Sequence, residues 1–242
     1  MRRFVPAFLF LAIIVPFKNT VAQNAATANL ADSYSNAKKL FQDQIKEDAH
    51  LYTGKEFIEY PVTIKGHLFF ETDQMQNSAI FYDGTLYENI PLLYDLVGQD
   101  VVINRYNSAE PIKLLNEKIK YFMFDGHRFE NIFSYEGIDG NVTNTFYDVM
   151  FNGKASVLVK RIKRIKNGIK AEDPASFVEQ DELYVRTGNS LYAVDNKNAA
   201  ITAFNNKKDL VKSFIRKKKF RFKKNIESEL VATAEYYSTL NK

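Results

Sequence analysis

The 242-residue chain contains no cysteine and no tryptophan. Without cysteine there are no disulfides, no cysteine–zinc or iron–sulfur ligation, no thiol nucleophile and no lipid-modified lipoprotein cysteine. Glycine (10) and proline (6) are sparse, and no glycine-rich phosphate loop is present. No apolar run reaches the roughly 20 residues that span a bilayer. The longest uncharged stretch, Phe4 to Phe17, follows Arg2 and Arg3 and leads to the small residues Thr20-Val21-Ala22. That order of basic, apolar and small residues is the pattern of a cleavable secretory signal over 1–22, with Ala22–Gln23 the expected cut and Ala28–Asn29 a second possible one. The expectation is an exported bacterial protein, periplasmic, outer-membrane associated or extracellular, with no transmembrane segment after the signal.

What is present has a globular balance, 45% hydrophobic and 26% charged residues, with 20 Phe and 14 Tyr. Aromatic residues in such number suit half-buried pleated surfaces. The net charge of +4 conceals a polarity. Loss of Arg2, Arg3 and Lys18 with the signal lowers it to +1. Residues 207–224 then carry ten Lys or Arg against Asp209 alone, or +9, so the rest of the mature chain is −8. A second basic run, Lys154 to Lys170, holds seven cations and no acid.

Along the chain, Ala37, Leu40, Phe41 and Ile45 recur at helical spacing and predict a helix over 33–48. From 51 to 195 short runs of Val, Ile, Tyr and Phe alternate with turn signals. Asp83-Gly84, Asp125-Gly126, Asp139-Gly140 and Asn152-Gly153 favour tight hairpin turns, since both central residues of a type I′ turn need positive φ. Two hairpins are expected, Ser78–Tyr82 with Thr85–Tyr94 and Phe146–Phe151 with Lys154–Ile165. Further strands are expected at Val101–Arg105, Ile112–Leu115, Ile119–Phe124, His127–Phe133, Phe177–Val185 and Ser190–Val194. Over 198–240 the period becomes helical. Leu210, Val211, Phe214 and Ile215 form one predicted stripe, and Asn225 is expected to cap a last helix bearing Leu230, Ala234 and Tyr237. The fold class is therefore α+β: a large antiparallel sheet, meander-like and curved or sandwich-like, with an N-terminal helix and a basic C-terminal helical cluster, as one domain over 23–242. No strand–helix–strand alternation supports a parallel nucleotide-binding sheet.

The strings Leu51-Tyr-Thr-Gly-Lys-Glu-Phe57, Gly66-His67, Tyr82-Asp-Gly84 and Asn89-Ile-Pro-Leu-Leu-Tyr-Asp95, with Val157-Leu-Val-Lys-Arg161 and Ala234-Glu-Tyr-Tyr237, resemble an uncharacterised family of exported Gram-negative β-rich proteins. The resemblance covers most of the mature chain and implies single-domain export. It brings no activity. Where the related sequences carry Trp after the Gly-His strand, this chain has none.

Catalytic signatures are scarce. The histidines are His50, His67 and His127, of which His67 and His127 follow glycine at strand starts; no HExxH spacing links them. They stand as the candidate catalytic pair, joined with nearby carboxylates, against a structural reading as edge residues. No Gly-x-Ser-x-Gly elbow exists, and the Asp residues mostly flank turns. No cofactor and no metal site are expected. Tyr82, Tyr87 and Tyr94 are candidates for a stacking surface or apolar cradle, against burial in the core. Arg216, Lys217, Lys218, Lys219, Arg221, Lys223 and Lys224, interleaved with Phe220 and Phe222, are candidates for contact with an anionic partner. That composition would attract nucleic acid, but export argues against nucleic acid and for lipid head groups, lipopolysaccharide or an acidic envelope protein. The leading expectation is a non-enzymatic envelope protein that binds a partner or an apolar or anionic ligand. The alternatives are a hydrolase of an envelope polymer or glycan and a general polyanion binder.

Overall fold

The structure, a computed structural model, describes residues 33, 36, 50–58, 60, 61, 63–132, 145–170 and 173–240. The expected helix over 33–48 falls almost wholly outside these, as does the Asp139-Gly140 turn. Met1–Lys46 and Glu47–Lys242 are two compact units. The second is built on an antiparallel sheet of 11 strands in the order β1-β5-β4-β3-β2-β6-β7-β8-β9-β12-β13. The strands are β1 (Lys55–Glu56), β2 (Gln76–Tyr82), β3 (Thr85–Asp95), β4 (Asp100–Asn104), β5 (Pro111–Lys113), β6 (Ile119–Phe124) and β7 (His127–Asn131). Then follow β8 (Phe146–Asn152), β9 (Ala155–Lys160), β12 (Glu182–Thr187) and β13 (Ser190–Ala193). β10 (Lys163–Lys166) and β11 (Ser176–Glu179) form a separate two-stranded ribbon.

Two turns follow directly from their sequences. Asp83 and Gly84 have φ of 48° and 81°, and Asp125 and Gly126 of 47° and 79°, the left-handed pairs that type I′ hairpins require. A Cβ on Gly84 would meet nothing within 4 Å, so only its backbone conformation resists substitution. Gly84→Ala is expected to cost about 1 kcal/mol, read from the urea midpoint. Asn152-Gly153 behaves differently. Asn152 pairs with Ser156, and neither Asn152 nor Gly153 adopts positive φ, so the connection is a longer loop.

The sheet is rolled. Four strand steps separate β3 from β8, about 19 Å if flat, yet the Tyr94 and Phe146 ring centroids lie 5.9 Å apart. The turn after β3 also reaches the end of β9: Gln99 Nε2 donates to the Arg161 carbonyl at 2.9 Å, and Lys163 N donates to Leu96 O at 3.1 Å. Inside the roll sits an aromatic core of Tyr94, Phe122, Phe124, Phe129 and Phe146, all essentially without exposed surface. Phe122 and Phe129, partners across β6 and β7, stack at 4.9 Å.

Three helices cover the far end of the sheet: α1 (Lys197–Ala203), α2 (Lys208–Lys218) and α3 (Ile226–Thr239). Val157 and Val185 of the sheet pack with Phe204, Val211, Ile215, Leu230 and Tyr237. Leu158, on the opposite face of β9, packs with Ile132, Tyr147 and Leu191, so β9 is buried on both sides. Asn196 caps α1, its side chain accepting from Asn198 N and Ala199 N. Asn225 does occupy the N-cap position of α3 as expected, but its side chain makes no capping hydrogen bond and its carbonyl accepts from Ser228 Oγ and Glu229 N. The expected stripe of α2 is corrected. Val211 and Ile215 are buried, whereas Leu210, turned about 100° from Val211, is 48% exposed.

Candidate functional site

The strongest polar feature lies where two expected strands break. β9 was expected to run on to Ile165 and β11 to be continuous with β12. Both pairs stop at the same level, because the Ile162 amide donates to Asp181 Oδ1 at 3.1 Å and Gln180 N donates to Ile162 O. The ladder bends away there as the β10–β11 ribbon.

At the bend the Arg161 guanidinium turns inward among three carboxylates. Its Nε and Nη2 donate to Asp148 Oδ2 at 3.0 and 2.8 Å, and Nη1 donates to Asp181 Oδ2 at 2.8 Å. Nη1 and Nη2 also donate to the two oxygens of Glu227 at 2.8 and 3.1 Å. Asp148 is on β8, Asp181 precedes β12 and Glu227 is in the first turn of α3, so one side chain ties sheet and last helix together. Burial by itself would pull the guanidinium's pKa down. Glu227, Asp181 and Asp148 outweigh it and hold the pKa above its ordinary value.

His127 joins the same cluster, its Nδ1 lying 2.8 Å from Asp148 Oδ2 with the ring edge-on to Phe70. A buried carboxylate that fixes one imidazole nitrogen is the way a catalytic base is oriented. Here the same oxygen already takes two Arg161 donors, and among the described residues no nucleophile is hydrogen-bonded to His127. His67 is separate: its Nδ1 is buried without a partner, and its carbonyl accepts from Lys163 Nζ at 3.1 Å. No hydrogen bond, ion pair or ring contact joins His67 to His127 among the described residues. His50 lies at the surface, 3.7 Å from Asp83. No group of three His, Asp or Glu side chains among the described residues is placed to hold a metal ion.

The tyrosines divide. Tyr82 and Tyr94 are fully buried, and their expected role as a ligand surface is corrected: they are core, Tyr94 donating to Gln99 Oε1 at 3.0 Å. Tyr87 is half-buried and retains some surface.

The basic residues do come together. Lys208, Lys212, Arg216, Lys217 and Lys218 on α2, with Lys219, Arg221, Lys223 and Lys224 in the turn after it, are all exposed. None makes an ion pair among the described residues; Lys218 lies 5.9 Å from the Phe214 ring centroid. The turn is fixed from below. Lys219 ends the helix in the left-handed conformation, φ 58°, and Glu229 Oε2 accepts from both Arg221 N and Phe222 N. Phe222 is buried and Phe214 stacks on Tyr236 at 4.1 Å. The cations are thereby held on a rigid support.

Among the described residues no helix is long and apolar enough to cross a membrane. The chain matches no known protein-family profile, no curated protein and no solved structure.

The sequence reading missed Arg161 as a cluster centre, since it sits in a basic run and its carboxylate partners come from three distant segments. The one available signal was position, since Arg161 closely follows the apolar run Val157-Leu-Val159 of β9.

Proposed function

We propose that this is a non-enzymatic binding protein of the bacterial envelope, exported through the signal at 1–22, which docks its α2 face onto an anionic surface. Lipid head groups, lipopolysaccharide or an acidic envelope protein present such a surface. The observation that supports the reading is the set of nine exposed cations on α2 and its following turn, with no ion pair among the described residues although the remainder of the mature chain carries net negative charge. Charges left free on a braced support attract an outside anion at no cost in internal pairing. Each is worth about 1 kcal/mol beside an anionic lipid surface.

The test compares the purified exported protein with the variant Lys217→Gln/Lys218→Gln/Lys219→Asn for binding to envelope fractions of the producing cell. Asn is used at 219 because it tolerates the left-handed backbone. The expected result is about a hundredfold weaker binding by the variant and salt-sensitive binding by the parent. Equal binding by the two overturns the reading.

A further inference from the structure

The β10–β11 ribbon carries side chains that the α2 face does not account for. Of the five large hydrophobic residues that are exposed among those described, three are in this ribbon: Ile165 (40%), Val178 (36%) and Ile169 (96%), the last in the connection between its strands. By register Val178 shares one face of the ribbon with Arg164, Ile165 lies on the other face beside Phe177, and Ile169 is at the turn, so the ribbon offers apolar surface on both faces and at its end. Arg164, Lys166 and Lys170 stand beside these residues, exposed and without ion pairs among the described residues. The Asp173 carboxylate accepts from the Lys170 backbone N–H at 3.3 Å. At the root of the ribbon an open recess of about 450 Å³ is lined by the apolar Val97, Ile162 and Ile165 together with Lys160, Lys163 and Arg164. An exposed isoleucine at the turn above a cationic stem is a composition that enters a lipid–water interface, where ammonium and guanidinium groups reach phosphates while aliphatic carbons leave water.

We infer that the β10–β11 ribbon is a membrane-docking element that places Ile169 and Ile165 into the interface of an anionic phospholipid bilayer, with Arg164, Lys166 and Lys170 on its phosphates. This rests on the reading of α2 as an anion-docking face and names the bilayer as the surface. α2 repeats the pairing, since Leu210 is exposed on the side of the helix that also carries Lys217, seven positions on. An acidic protein surface would satisfy the cations of both elements but would need an apolar pocket matched to the isoleucines, whereas a bilayer interface takes them in without one.

The chain has no tryptophan, so Ile169→Trp installs a single reporter at a position where the larger ring meets only solvent. The purified exported protein carrying it is mixed with vesicles of phosphatidylglycerol and phosphatidylethanolamine, and with vesicles of phosphatidylcholine alone. The expected result is co-sedimentation with the anionic vesicles only, a shift of emission to shorter wavelength and quenching by acyl-chain quenchers. Ile169→Asp is expected to bind the same vesicles at least about tenfold more weakly. Co-sedimentation with unshifted emission overturns the ribbon's role and leaves the α2 reading intact. Failure to bind anionic vesicles while envelope fractions are still bound overturns the bilayer and leaves an acidic partner. Blue-shifted binding that is indifferent to the Lys217, Lys218 and Lys219 changes upholds the ribbon and overturns the α2 reading.

Discussion

Arg161→Met is expected to destabilise the protein by about 3–5 kcal/mol. The methionine fills similar volume, so the loss is electrostatic. Asp148 has 1% of its side chain exposed and would keep only His127 as a side-chain partner among the described residues, while Asp181 and Glu227 would face each other without the cation between them. A buried ion pair need not stabilise a fold relative to apolar residues, but half of one is costly. The double variant Arg161→Met/Asp148→Asn removes the stranded charge and is expected to recover part of the loss, a non-additivity that a double-mutant cycle measures. Urea unfolding followed by circular dichroism reads both: the midpoint falls with little change in slope. A loss below about 1 kcal/mol in the single variant would mean that water reaches the cluster, and the clasp between sheet and α3 would have to be abandoned.

Phe129→Ala is expected to cost a comparable amount, about 3–5 kcal/mol, for a different reason. Phe129 has no exposed surface and stands at the centre of the roll, with ring centroids 4.9 Å from Phe122, 5.0 Å from Tyr94 and 5.2 Å from Phe70. These neighbours come from β6, from β3 and from the segment before β2. They cannot all move inward at once to fill the space that a ring leaves. Phe129 also sits opposite Asp148 across β7 and β8, so the cavity would open beside the Arg161 cluster. Phe129→Leu keeps most of the volume and is expected to cost less. If the alanine variant unfolds at the parent's urea concentration, the aromatic contacts are not what holds the sheet rolled.

The readable and unreadable parts of this fold separate by the range of the interactions that decide them. Asp83-Gly84 and Asp125-Gly126 announce their hairpins because the backbone demand lies within two residues. The alternation of Ile80 and Tyr82, or of Phe122 and Phe124, reveals strands because burial has a period of two along the chain. The break at Arg161 and Ile162 has no such local cause. It depends on the Asp181 carboxylate accepting the Ile162 amide and on Glu227 meeting the guanidinium, and no spacing rule connects those positions. The same limit explains Tyr82 and Tyr94. Their sequence neighbourhood is that of any aromatic strand, and only the rolling of the sheet puts both inside. For the basic face the reverse holds: charge density is a property of composition, and nine of the ten cations of 207–224 are exposed as that composition implies.

The two borders of the large sheet carry a further consequence. β1 is two residues long, Lys55 and Glu56, both exposed and of opposite charge, and β13 is four residues long and runs directly on towards α1. Unpaired backbone N–H and C=O groups at such margins are few, and a second molecule finds no long flat strand to extend. Proteins gathered on a surface meet one another at high local concentration, the condition that favours strand-on-strand polymerisation and fibres. A sheet with margins this short, one of them charged, can be crowded without seeding its own aggregation.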